Sequence, residues 1–356
     1  MKPKFLISKE VIMKKYNELK SFSDIISYSS KTNSIVTKIL EKNTDSMFSI
    51  HFINELKNII DKTRINFLLQ ATNNEQLTSL INMKINNFII DNKSDLEIFI
   101  NYIKKQNFSK KINLFFRMKL KENTIRTEKY FVFGLSSDFI NKKVIKINNN
   151  KELIEKVNLG VHFHRKTQNM AEWNLLYELK NSLSKETLEI IKYINIGGGL
   201  PSNYANTNIK VIDSIIKKIT ELKEFLNQKN IKMIIEPGRF IAAPAIKLVT
   251  KIIGIYENNI IVNASVYNTD MDALIVPVKL KVENEYEKED TISNNKIKPY
   301  VIKGITPCSL DLFRYRAYLL NPIIGDKIVF INAGAYNFHS EFCDLDKIKT
   351  EIIEDF

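Results

Sequence analysis

Two short segments place glycine beside groups that bind anions. Ile194-Asn195-Ile196-Gly197-Gly198-Gly199 ends a β-branched run in three glycines, and Glu236-Pro237-Gly238-Arg239 ends another in a carboxylate, a turn and a guanidinium. Glycine lets backbone N–H groups approach an anion closely, and arginine adds a forked, charged donor, so together the loops read as a phosphate site. A glycine triplet alone reads equally well as a tight strand-to-helix turn; the second loop favours the anion. Val161-His162-Phe163-His164 sets His162 and His164 on the same side of an extended strand. Such a pair serves as hydrogen-bonded core, as metal ligands or as contacts to a bound group. Zinc is disfavoured, since His51 and His339 lie in unrelated segments and no further ligand stands near in sequence. Tyr28-Ser29-Ser30-Lys31-Thr32-Asn33 ends a third run in an amine.

These groups need elements to hold them. From residue 20 to residue 240, β-branched or aromatic runs alternate with amphipathic stretches bearing Lys and Glu. The runs are 24–30, 46–50, 65–70, 87–91, 112–118, 157–164, 193–199 and 232–238, with helices expected over 34–40, 54–60, 75–81, 95–103 and 211–226. Eight alternations of this size match a closed parallel (β/α)8 barrel of the TIM type, which commonly binds phosphate with the loops after strands seven and eight. After residue 245 extended segments take over, at 260–266, 273–282, 300–302 and 327–332, and 4–7 is a candidate first strand for them. The expectation is an α/β barrel over 11–240 and a β-rich, sandwich- or barrel-like domain made of 1–10 and 241–356.

With 356 residues, 44% of them hydrophobic, the chain can bury one large core and a smaller one. The net charge of +13 comes from lysines scattered among Asn and Ile without basic-aromatic blocks, which reads as a solvated surface and compositional drift, not a nucleic-acid footprint. Two cysteines, Cys308 and Cys343, exclude a disulfide framework and a cysteine zinc site. No apolar leader or membrane-length run is present, so a cytoplasmic protein is expected.

In so lysine-rich a chain, position alone would mark Lys31 as a surface residue. Its company changes that reading: an anion site, a carboxylate at Glu236 and an aromatic ring at His164 are what pyridoxal 5′-phosphate on a lysine requires. In this order the motifs resemble the fold-type III, alanine-racemase-like family of ornithine, diaminopimelate and arginine decarboxylases over nearly the whole chain. Residues 28–33 resemble its Tyr-Ala-Val-Lys-Ala-Asn, implying Lys31 as the Schiff-base lysine. Val132-Phe133-Gly134 is similar to Lys-Phe-Gly, and 160–168 to Gly-Leu-His-Phe-His-Ile-Gly-Ser-Gln. The resemblance implies that His164 stacks on the cofactor ring and that Thr167 lies near its phosphate. It further implies that Gly197, Gly198, Gly199, Gly238, Arg239 and Tyr336 of Gly334-Ala335-Tyr336 hold that phosphate, and that Glu236 keeps the pyridine nitrogen protonated.

Residues 304–311 resemble Gly-Pro-Thr-Cys-Asp-Ser-Leu-Asp, a loop that in the family enters the other subunit's site and whose cysteine returns a proton to the substrate carbon. This implies a homodimer with shared sites and Cys308 as the donor, although the cysteine is shifted by one position and Pro307 occupies its ungapped place. Arg165, Ser309, Asp311 and Phe342 are the candidate substrate contacts. Ser309 replaces an acidic residue that binds a distal amine, while Arg165 and Lys166 replace small or apolar residues and would suit an anionic distal group, unless they are solvated loop cations. Ser49 stands where the family has an aspartate after strand two. The implied activity is pyridoxal-phosphate-dependent decarboxylation of a diamino or basic amino acid, of the ornithine, diaminopimelate, arginine or carboxynorspermidine kind. The alternatives are a racemase on the same fold and a catalytically silent relative that binds a protein. Racemases usually carry a tyrosine where Cys308 enters and differ at Glu236.

Overall fold

The computed structural model describes residues 1–120, 133–207, 209–276, 278–337 and 339–356. Val132 therefore lies outside the described residues. Strands are numbered along the chain. The first, β1, is Lys4–Ser8; β2 to β9 are Ile25–Ser29, Met47–Ile50, Ile65–Leu69, Asn87–Ile90, Ile112–Arg117, Val157–His162, Tyr193–Asn195 and Lys232–Ile235. Two compact units form, one from Asn17–Pro201 with Lys210–Gly238 and the other from Met1–Tyr16, Ser202–Ile209 and Arg239–Phe356.

In the first unit β2 to β9 close into a parallel barrel, as the eight runs predict. All but one of the strands end earlier than those runs; β3 ends with its run at Ile50. The last residues of the other runs, among them Asp91, His164, Gly197–Gly199 and Glu236, leave the ladder to form the loops at the C-terminal end. Alternation along each strand sends every second residue inward. The middle of the interior is apolar: Ile89, Phe115 and Ile234 pack with Ile25, Leu68 and Tyr193. Gly160 makes room there, since a Cβ on it would lie 2.7 Å from the Phe115 ring.

Asparagine lines the N-terminal end. Asn66, Asn87 and Asn113 face a cavity of about 330 Å³ together with Lys110 and Lys111. Register places Asn87, Asn113 and Asn158 side by side on β5, β6 and β7. Their amides form a ladder: Asn158 Nδ2 donates to Asn113 Oδ1 (2.9 Å), Asn113 Nδ2 to Asn87 Oδ1 (2.6 Å), and Asn87 Nδ2 to the Ile65 carbonyl (3.0 Å). Asparagine also starts the surrounding helices. Asn33, Asn73 and Asn92 accept from backbone N–H groups at the heads of Ser34–Asn43, Asn74–Asn82 and Lys93–Lys104.

The barrel closes between its first and last strands through a short seam. Ile25 pairs with Ile234 and Ile26 with Ile235. Asp24 accepts from Met233 N (2.8 Å), and Ser29 N donates to the Pro237 carbonyl (3.0 Å). Gly238 must lack a side chain, because its Cβ would fall 2.2 Å from Thr32 Oγ1.

The second unit is a mixed sheet. Its strands are β1 with β10 Ile246–Tyr256, β11 Asn259–Val262, β12 Lys281–Val282, β13 Ile297–Lys303, β14 Leu312–Leu320, β15 Lys327–Ile331 and β16 Lys349–Ile353. The order is β12-β15-β10-β11-β13-β14, with β1 antiparallel to β10 and parallel to β16.

Three expected elements differ: the extended run at 260–266 shortens to β11 and gives way to a helical turn, Val266–Thr269, and two others change type. The helix at 54–60 is a 3-10 segment, Ile53–Asn58, whose Glu55 carboxylate turns back to accept from the N–H groups of His51 and Phe52. The extended run at 273–282 divides into a helical turn, Asp272–Ile275, and the short β12, with the Asp272 carboxylate paired to the buried Arg239. Among the described residues no helix is long and apolar enough to cross a membrane.

Candidate active site

At the C-terminal end of the barrel a cavity of about 210 Å³ is lined by Lys31, His51, Leu68, Leu69, Gln70, Asp91, Arg117, Phe133, His162, His164 and Glu236. Lys31 sits in a single 3-10 turn that follows β2 directly, so strand geometry delivers its amine to the mouth. Glu236 follows β9 and is 4% exposed.

Three groups converge on the Glu236 carboxylate. Ser49 Oγ (2.7 Å) and Asn195 Nδ2 (2.8 Å) donate to Oε1, and His162 Nε2 lies 3.2 Å from Oε2. Burial by itself would raise the Glu236 pKa; the His162 ring and the hydrogen bonds from His162, Ser49 and Asn195 outweigh it and hold the carboxyl well below its ordinary value. Since Ser49 donates forward, its oxygen accepts from Ser27 (2.8 Å), which in turn accepts from Asn66 Nδ2 (2.9 Å). A directed chain of buried donors thus runs from the N-terminal cavity to the carboxylate. Ser49, seen in the sequence only as a missing aspartate, belongs to this chain.

The glycine triplet is cradled by both neighbouring strand ends. Gly198 N donates to His164 Nδ1 (3.3 Å), Glu236 N to the Gly197 carbonyl (2.9 Å), and Gly197 N to Asn195 Oδ1 (2.9 Å). A Cβ would lie 2.4 Å from the Phe163 carbonyl at Gly197 and 2.7 Å from the Glu236 carbonyl at Gly198. Gly197 and Gly199 have φ of +65° and +104°, which only glycine adopts without strain.

His51 was separated from these groups in the sequence but joins them in space. Burial and then the neighbouring Lys31 cation lower its pKa to about 3, so the ring is neutral, and its Nδ1 is buried without a partner. Asp91 and Arg117, also absent from the sequence reading, pair at 3.3 Å on the cavity wall, with the guanidinium 4.9 Å from the Phe133 ring centroid. Strand phase was the available signal: both stand at run ends, in the inward set that includes His162.

Arg165 is not the open substrate contact expected of it, nor a solvated loop cation. It is 3% exposed, does not line the cavity and donates to the Ile196 carbonyl (3.0 Å), because the faces of Trp173 and Phe163 cover it. Thr167 lies half-buried in the same turn.

The remaining candidates lie in the second unit. Arg239 is held by both carboxylate oxygens of Asp272 and by Tyr204 Oη (2.8 Å), with the Tyr336 ring 5.2 Å from its guanidinium carbon. Cys308 Sγ and Tyr267 Oη are 3.0 Å apart, and Tyr267 stacks on Phe342 with centroids at 3.8 Å. The hydrogen bond with Tyr267 lowers the thiol pKa. Ser309 is exposed. Asp311, expected at the substrate, is 1% exposed instead: its carboxylate accepts from Val266 N, Thr306 N and Thr306 Oγ1, so it builds the loop that carries Cys308.

Residues 12–243 match the family described as pyridoxal-dependent decarboxylase, pyridoxal binding domain. A probable chloroplastic diaminopimelate decarboxylase from Oryza sativa subsp. japonica is 28% identical over 146 residues, 41% of this chain and 29% of the relative. A carboxynorspermidine/carboxyspermidine decarboxylase from Campylobacter jejuni is 26% identical over 189 residues, 50% of this chain and 47% of the relative. The chain thus matches less than half the length of either relative. In three dimensions it is similar to a lysine/ornithine decarboxylase from Vibrio vulnificus complexed with putrescine, at TM-score 0.78 and 20% identity, covering 99% of this chain and 95% of that one.

Proposed function

Because the chain belongs to the pyridoxal-dependent decarboxylases, we propose that it removes the α-carboxylate of a diamino or other basic amino acid as carbon dioxide, with pyridoxal 5′-phosphate held on Lys31. The observation that carries this reading is Glu236, an ionised, triply hydrogen-bonded carboxylate facing the same cavity as the Lys31 amine. The residues present fit the cofactor: an amine for its aldehyde, a carboxylate for its ring nitrogen, an imidazole at His164, and a glycine cradle that any Cβ would fill.

When bound, pyridoxal phosphate supplies the electron sink for the pair released with carbon dioxide. Glu236 holds a proton on the ring nitrogen, and Ser49, Asn195 and His162 keep it ionised for that purpose. His164 orients the ring, and the Gly197–Gly199 turn, Thr167, Gly238, Arg239 and Tyr336 serve the phosphate. Cys308 returns the proton to the α-carbon, Ser309 and Phe342 meet the substrate, and the protein works as a cytoplasmic homodimer.

Release of carbon dioxide from L-ornithine, L-lysine, L-arginine, meso-diaminopimelate and carboxynorspermidine, with Lys31→Ala as control, tests the reading. We expect one substrate to be turned over and the variant to lose at least about a thousandfold in kcat. Equal release by variant and wild type would sink it. A racemase is the second reading, favoured by the Tyr267 hydroxyl beside Cys308; inversion of a single enantiomer without carbon dioxide would establish it.

A further inference from the structure

Arg165 is an expensive residue to bury. It is 3% exposed, and its carbon centre lies 4.1 Å from the Trp173 ring centroid and 5.6 Å from that of Phe163. One N–H reaches the Ile196 carbonyl, while Nε and Nη1 are buried with no hydrogen-bond partner. Burial lowers its pKa to about 9 against the opposing pull of the Glu178 and Glu172 carboxylates, so the group stays charged at neutral pH. An apolar side chain would fill the same space without stranding two donors.

Its location suggests what the charge is for. Ile196 immediately precedes the glycine triplet, and Asn169 N donates to the Gly199 carbonyl (2.9 Å). A Cβ on Gly199 would lie 2.9 Å from the Lys166 carbonyl and 3.5 Å from Arg165 Cβ. The turn after β7 and the triplet after β8 are therefore packed as one body, with the guanidinium inside it.

We propose that Arg165 is the positioning residue of the phosphate loop: it fixes Ile196–Gly199 from behind and adds a buried positive charge to the field felt by a phosphate monoester dianion bound at the glycine turn. This assigns Arg165 to the cofactor's phosphate and not to the substrate, and it rests on the pyridoxal-phosphate reading above. The low-dielectric surroundings let a full charge act across the loop backbone, and the stack on Trp173 holds the charge in place.

The test compares binding of pyridoxal 5′-phosphate with binding of pyridoxal, which lacks the phosphate, in wild type, Arg165→Lys and Arg165→Met after removal of resident cofactor. Cofactor absorbance reads binding, and inorganic phosphate is titrated separately against thermal unfolding. Arg165→Met is expected to weaken the phosphorylated form about tenfold while changing pyridoxal less than about twofold, and to lose most of the stabilisation by inorganic phosphate. Arg165→Lys, which keeps the charge but not the fork, is expected to fall between, and it carries the test if the methionine variant does not fold. Equal loss for both forms, or loss for neither, would overturn the proposal. A wild type that binds no pyridoxal phosphate would instead fell the reading it rests on. The phosphate titration then decides alone, and an unchanged response in the variants overturns the role of Arg165 as well.

Discussion

The two ends of the barrel interior are both polar and are built by residues in the same inward phase, yet they are satisfied differently. At the N-terminal end Asn158, Asn113 and Asn87 pass hydrogen bonds along the register to a backbone carbonyl. At the C-terminal end Lys31, His51, His162 and Glu236 share a cavity, and Thr32 Oγ1, His51 Nδ1 and His162 Nδ1 are left without partners. Amides that both donate and accept can close a network on themselves; ionisable groups aimed at one cavity leave valences for something else. The same barrel therefore carries a self-sufficient end and an end completed by what it binds.

The sharpest way to break this comparison is Glu236→Gln. We expect kcat to fall about a hundredfold, measured on the substrate found by carbon dioxide release. The pH dependence of stability should change with it. The folded-state pKa of Glu236 lies below its ordinary 4.5, so its stabilisation is present above that pH and is lost as pH falls towards the folded value. In the glutamine variant, denaturant unfolding between pH 5 and 3 should therefore be flatter by up to about 1.4 kcal/mol per pH unit. An unchanged slope would mean that the carboxylate is not held ionised.

At the other end Asn113→Ala strands Asn87 Oδ1 and Asn158 Nδ2. It should cost about 1–3 kcal/mol in chemical denaturation with kcat unaltered. A loss of kcat without loss of stability would show that the ends are not separable. The smallest effect is expected where they connect. Ser49→Ala removes one donor from Glu236 and should lower kcat about fivefold, with a stability cost of about 1 kcal/mol; no change in either would show that the Asn66-Ser27-Ser49 chain is incidental.

The same contrast explains what could be read in the sequence. The eight runs were legible because strands buried on both faces are near-continuous apolar stretches. The glycine triplet, Lys31, His164 and Glu236 were legible through one another, because each alone reads as an ordinary strand-end residue and together they match a motif order. The asparagines did not, since an abundant residue reads as compositional drift until register shows that Asn87, Asn113 and Asn158 are adjacent. His51 was missed because its neighbours come from other strands, and Arg165 was misplaced because Trp173, which covers it, lies eight residues further on in a turn with no periodic signal. In the second unit a short apolar run reads alike as strand or helical turn, so the turn Asp272–Ile275 passed for part of a strand.

The seam between β2 and β9 sets an order of assembly. Lys31 follows the first barrel strand and Glu236 the last, and the Ser49–Glu236 bond alone spans 187 residues of chain. Loop-closure entropy must be overcome before any of the contacts across the seam exist. Lys31 and Glu236 therefore come together only in the closed barrel, so a chain truncated before β9 carries the lysine without its carboxylate.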